Sequence, residues 1–307
     1  MATKQASGRE KPWTNRLKRT LSLGPISGEV TPFVWNDRLY RVENHPRYFD
    51  FPVADPTYRF NEDEVRIRDV ETGAIVSVPL RNHYFGEGFL FGNRLYIYAG
   101  DYGVDRPWRQ HHLFDLVYSD DLVTWSDPVP VIESERGELL FNTAVCRGPD
   151  RFILLYETDD SRWPPFTFKY CESDDLVRWR RIPGAVYGTD KYVGGPALHY
   201  ADGWYYTLYL QSLPGGQFEN RITRSRDLIH WQDAPEGRAV LSVDPAHVPD
   251  PAHPDVRELS ASDAELCFWR GRTIVYFHSG NQQGVAGLEM AEFDGPPEEL
   301  LAHYFEE

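Results

Sequence analysis

Tyr118-Ser-Asp-Asp-Leu-Val-Thr-Trp125, Glu172-Ser-Asp-Asp-Leu-Val-Arg-Trp179 and Arg224-Ser-Arg-Asp-Leu-Ile-His-Trp231 share one pattern: a Ser, then Asp-Leu, then Trp three residues after the Leu. The Trp residues lie 54 and 52 positions apart (125 to 179, 179 to 231). A period just above fifty marks stacked supersecondary units, and 307 residues hold about five or six of them. Ser and Asp are expected to cap a tight turn through side-chain bonds to the backbone, and Leu and Trp to pack between neighbouring sheets. These residues locate a fold and leave its site open.

Each repeat follows two strand-like runs joined by a turn signal, as in Gly88–Phe91, Gly92-Asn93 and Arg94–Tyr98. The same grammar recurs at Pro32–Trp35 with Leu39–Val42, Ala144–Arg147 with Phe152–Tyr156, Ala197–Tyr200 with Trp204–Leu210, and Glu265–Trp269 with Thr273–Phe277. Five inner hairpins predict an all-β, five-bladed β-propeller of four-stranded antiparallel blades around a central funnel. The first outer hairpin reads Val65–Arg68 and Ala74–Ser77, and residues 295–303 read as a short terminal helix. Residues 1–24 are expected to be an N-terminal extension and 25–307 one propeller domain. Either Leu17–Leu23 or the end of the chain must supply the last outer strand of a closed ring.

Composition agrees. Aromatic residues reach 14%, with 9 Trp, 18 Tyr and 17 Phe, which suits pleated surfaces. The 47 acidic against 32 basic residues give a net charge of −15, so a phosphate backbone or an anionic lipid surface would repel the chain, and neither nucleic acid nor membrane is an expected partner. Cys146, Cys171 and Cys267 are odd in number and lack Cys-x-x-Cys spacing, against a disulfide framework or a thiolate zinc site. The first two dozen residues have no apolar run of the length a secretory leader needs, so the expected location is the cytoplasm.

The Ser-x-Asp-Leu-x-x-Trp unit after each inner hairpin resembles the five-bladed β-propeller glycoside hydrolases: the arabinofuranosidase and xylosidase group, the fructosidases and the neoagarobiose hydrolases. The resemblance runs from about Gly28 to Phe293. It implies a ring of carboxylates where each innermost strand begins, the first of them in an Asp-Pro pair. Thr31-Pro32 stands at that place here, and Glu87, Asn142, Gly195 and Glu265 fall at approximately equivalent places in the other blades. Residues two apart on a strand face the same way, which adds Glu29 and Asp263. Glycosidic cleavage needs one protonated acid and a second carboxylate that activates water or attacks carbon. The candidate catalytic residues are therefore Glu87 and Glu265, leading, with Asp263 and Glu29.

Loops following each second strand should share the funnel face: 44–63, 100–111, 157–166, 211–219 and 278–284. They carry Tyr48, Trp108, Trp163 and Phe218, whose flat faces suit sugar rings, beside the polar Asp101, His111, His278 and Gln282. With Asn142 and Lys191, the residues Asp101, Trp108, His111, Trp163, His278 and Gln282 are the candidate substrate-binding set. Lys191 can bind an anionic group or pair with a neighbouring acid. His111 and His112 are adjacent and would face opposite ways on a strand, and no zinc spacing occurs, so no metal ligand is assigned. No cofactor is assigned either, although the resemblance implies that some members hold an axial calcium through a histidine, for which His278 would serve.

Dinucleotide, phosphate-loop and Gly-x-Ser-x-Gly patterns are absent. The expectation is a glycoside hydrolase acting on a small glycoside or oligosaccharide. Two alternatives stay open: a non-catalytic carbohydrate-binding propeller, which the missing Asp-Pro favours, and a glycoside phosphorylase, which would need a cationic cluster drawn from Arg106, Arg109, Lys191 and the histidines.

Overall fold

The computed structural model describes residues 12–25, 28–46, 63–101 and 111–306. The described residues are all-β except for one short helix. Strand β1 (Lys18–Pro25) comes first, followed by a four-stranded antiparallel sheet of β2 (Val30–Trp35), β3 (Arg38–His45), β4 (Glu64–Asp69) and β5 (Ile75–Arg81). The second sheet is β6 (His83–Phe91), β7 (Arg94–Asp101), β8 (Leu113–Ser119) and β9 (Val129–Glu133). The third is β10 (Leu140–Arg147), β11 (Phe152–Thr158), β12 (Thr167–Ser173) and β13 (Arg180–Tyr187). Next come β14 (Gly194–Ala201), β15 (Trp204–Leu213), β16 (Gln217–Ser225) and β17 (Trp231–Asp233), then β18 (Ser260–Trp269), β19 (Arg272–Gly280) and β20 (Ala286–Phe293), and helix α1 (Pro297–His303). These last two groups join into one eight-stranded sheet through a single parallel pair, Phe218 with Ser260. Of the two segments considered for the missing outer strand, the N-terminal one fills it: β1 lies antiparallel on β20 from Lys18 opposite Glu292 to Pro25 opposite Gly287.

The repeated unit does what its residues dictate. In the second repeat Ser173 Oγ accepts from the amides of Asp175 and Leu176, at 3.2 and 3.0 Å, and Asp175 Oδ1 accepts from those of Val177 and Arg178, at 3.0 and 2.8 Å. The same bonds recur at Ser119/Asp121 and Ser225/Asp227. In each turn the Leu (122, 176, 228) takes φ near +65° and is buried, a backbone cost offset by the cap and by packing. The turn grips the preceding sheet: Ser77 Oγ donates to Leu122 O, and Tyr98 OH donates to Leu176 O. Trp231 stacks on Tyr170 at 5.2 Å.

Apolar packing follows the same order. Separate clusters fill the gaps between the first and second sheets (Phe33, Ile67, Leu95, Val117), the second and third (Tyr98, Leu116, Leu154, Leu176), the third and fourth groups (Leu155, Tyr170, Leu198, Leu228), and the fourth and fifth (Tyr206, Leu208, Val275, Phe277). A further cluster of Val30, Leu39, Ile274, Tyr276 and Leu288 packs the fifth group on the first sheet. The first strands of the five groups touch in the order β2, β6, β10, β14, β18 and back to β2.

Candidate active site

Residues from all five first strands line a small central cavity: Glu29 and Thr31, Phe85 to Glu87, Asn142 and Thr143, Gly195 and Pro196, and Asp263 and Glu265. Its volume is about 20 Å³, room for one water molecule. A second cavity of about 460 Å³ meets it from the far ends of the same strands, and Glu87 and Glu265 line both.

The sequence spacing misjudges one feature of these strands. In four of the five hairpins the inner strand carries one extra residue at the same place, between Tyr84 and Glu87, Leu140 and Thr143, Gly194 and Ala197, and Ser262 and Glu265. Such a bulge re-aims side chains beside a site. It makes Glu87, Thr143, Ala197 and Glu265 equivalent, so Asn142 and Gly195 fall one and two places earlier than the register assumed for them. The first bulge residue has a left-handed backbone at Phe85 (φ 55°), Gly195 (φ 50°) and Asp263 (φ 53°), strain that suits a functional position. Gly195 is required sterically as well, because a Cβ there would lie 2.1 Å from Asp263 Oδ1.

Glu29, Glu87, Asp263 and Glu265 line this cavity, and a fifth acid, Glu157 near the end of β11, bonds two of its lining residues. Glu157 is buried, and its Oε2 accepts from Gly195 N at 3.0 Å and Asn142 Nδ2 at 3.2 Å. Burial outweighs those two donors and, with the charges of Asp263 and Glu29, pushes its carboxyl up to about 8. Burial, then the charge of Glu265, holds Glu87 well above the usual carboxylate range, against one bond from Val145 N. Burial and then Asp263 do the same to Glu265. His278 Nδ1 faces Asp263 Oδ2 at 3.5 Å. Burial lowers the imidazole pKa, but Asp263 and Glu29 outweigh it and leave the ring raised.

The other candidates lie apart from the cavity. Lys191 forms an ion pair with Asp233 at 2.6 Å over the Tyr187 and Tyr209 rings, the pairing alternative weighed for it. Arg162 covers the Trp163 ring at 4.2 Å. Gln282 donates to Ser260 Oγ at 2.7 Å. His111 is buried edge-on behind Phe85, with ring centroids 5.4 Å apart. Asp101 sits at the end of β7 beside His83 and Asp115. Trp108, with Tyr48, Arg106 and Arg109, lies outside the described residues.

Sequence reasoning missed three contributors. Glu157 stands on a second strand, although the run Phe152–Tyr156 is wholly apolar and buried, and a carboxylate closing such a run is a readable signal. Asn44 is buried between the first two sheets, donating to Glu29 O (3.1 Å) and Gly86 O (3.0 Å) and accepting from Gly86 N (2.6 Å), which ties Glu29 to the first bulge. Tyr192 joins an aromatic arc of Phe85, Phe141, Phe166, Tyr192 and Phe218, with successive centroids 5.6, 4.7, 5.7 and 5.7 Å apart.

No sequence-family model and no curated protein matches the chain. Solved structures do. It is similar to a glycoside hydrolase (TM-score 0.63, 13% identity, covering 91% of this chain and 93% of that one) and to a thermostable family-43 glycoside hydrolase (0.62, 11%, 91% and 94%). It is also similar to a family-43 endo-arabinanase from Bacillus licheniformis (0.56, 13%, 90% and 96%). The fold of this chain is that of the family-43 glycoside hydrolases.

Proposed function

We propose that the five groups are the blades of a five-bladed propeller and that the chain is a glycoside hydrolase whose proton donor is Glu157. The observation that carries this is the pairing of a buried carboxyl raised to about 8 with a second carboxylate, Asp263, that faces a histidine. A protonated acid working with a second carboxylate is what glycosidic cleavage requires. Both donors to Glu157 converge on Oε2, which leaves Oε1 to carry the proton toward the leaving oxygen. Asp263 then serves as the partner that activates water or attacks carbon. Glu87 and Glu265, set deeper and both raised, act as neutral hydrogen-bonding groups on the cavity floor. The aromatic arc offers ring faces to a sugar.

Lys191, one of the cations a phosphorylase would need, is paired with Asp233 instead, which favours hydrolysis over phosphorolysis. The test is a panel of chromogenic furanosides and pyranosides, with and without phosphate, on the wild type and on Glu157→Gln, Asp263→Asn and Glu265→Gln. Phosphate-independent turnover that falls at least about a hundredfold in Glu157→Gln and Asp263→Asn, and less in Glu265→Gln, supports the assignment. Loss in Glu265→Gln alone returns the role to the deeper pair. Sugar binding without turnover supports the carbohydrate-binding alternative.

A further inference from the structure

We propose that His83, Asp101 and Asp115 form a binding site for one divalent transition-metal ion, Mn²⁺ or Zn²⁺, where the strands of the second sheet begin and end. The three come from consecutive strands. His83 on β6 is paired with Asp101 on β7, and Asp115 on β8 is paired with Ala99, two residues from Asp101, so the register sets all three on one face. Each offers a ligand atom, and these atoms lie within 4.8 Å of one another.

The hydrogen-bond chemistry at His83 calls for a positive centre. Its Nδ1 is 2.8 Å from Arg81 O. A carbonyl only accepts, so Nδ1 carries the hydrogen and the neutral ring turns a bare Nε2 toward Asp115 Oδ2, 3.0 Å away. Two acceptors at that distance need a proton between them or a metal ion beside them. A second proton on the ring would satisfy that contact alone, whereas Asp115 is buried and its Oδ1 has no hydrogen-bond partner among the described residues. A metal ion uses both features. Ligands about 2.1 Å from an octahedral ion and at right angles stand about 3.0 Å apart, the separation of Nε2 and Oδ2. The backbone carbonyl on Nδ1 is the outer contact that fixes a metal-binding imidazole. An imidazole nitrogen with carboxylate oxygens suits borderline metals. Such an ion would staple three strands immediately before the bulge that aims Glu87, and it is independent of the assignment of Glu157.

The full-length chain, stripped with chelator, would be dialysed against Mn²⁺ or Zn²⁺ and its metal content measured, alongside His83→Gln, Asp115→Asn and His278→Gln. We expect one equivalent bound with Kd at or below about 10 µM, at least tenfold weaker binding in His83→Gln and Asp115→Asn, and no change in His278→Gln. Electron spin-echo spectroscopy of Mn²⁺ on the wild type and on His278→Gln should show one nitrogen coupling, which tests the site even if the other variants do not fold. No stoichiometric binding to the folded wild type, binding that survives both substitutions, or loss in His278→Gln would overturn the proposal.

Discussion

Replacing Glu157 with glutamine should stabilise the protein progressively as pH rises. In the native state this carboxyl titrates near 8, against 4.5 for the unperturbed group. Between those values the folded chain binds more protons than the unfolded one, so its stability is fully present below about pH 4.5 and falls as pH rises toward 8. The slope approaches about 1.4 kcal/mol per pH unit, and linkage over pH 5 to 7 gives a loss of about 2 to 3 kcal/mol from this one group. Glutamine cannot ionise, and its carbonyl oxygen can accept the same bonds from Gly195 N and Asn142 Nδ2. Glu87 and Glu265 also titrate high, but they are common to both proteins and cancel in the difference. Urea unfolding of the wild type and Glu157→Gln at pH 5 and pH 7 reads this directly. The stability gap should move by about 2 to 3 kcal/mol in favour of the variant. Parallel curves, or a gap that moves the other way, would refute the argument that burial holds Glu157 protonated.

Three further outcomes follow from particular contacts. Gly195→Ala puts a Cβ 2.1 Å from Asp263 Oδ1 at a φ of 50°, and should cost about 1–3 kcal/mol while lowering kcat more than it raises KM. Ser173→Ala removes the acceptor of the Asp175 and Leu176 amides and should cost about 1–2 kcal/mol in chemical unfolding, with turnover per folded molecule unchanged. Lys169→Met leaves Glu138 and Asp160, both buried and both bonded to its Nζ, without that cation, and should cost about 3–5 kcal/mol by the same assay.

The architecture was legible because its repeat is a local device: a Ser and an Asp that cap one turn, and a Leu and a Trp that pack on the preceding sheet. Five hairpins could be counted, and the first outer hairpin and the terminal helix fall where the sequence places them. The site was harder. Lining up the hairpins by their turns picks Glu87 and Glu265, and alternation adds Glu29 and Asp263, but both assume an unbroken pleat, and the bulge shared by four inner strands shifts Asn142 and Gly195 out of the assumed register. Glu157 escaped because the residues it bonds are remote in sequence: Asn142 precedes it by 15 positions and Gly195 follows by 38. Lys191 lies near the expected place in sequence, but its side chain turns outward to Asp233, a pairing that no local pattern specifies.

The most direct test of Glu157 as proton donor compares leaving groups. On the best substrate sugar, kcat/KM would be measured for a dinitrophenyl glycoside, which departs without protonation, and for a methyl glycoside, which does not. Glu157→Gln should retain most activity on the first and lose at least about a hundredfold on the second. Equal losses on both would contradict the account, as would full activity on the methyl glycoside.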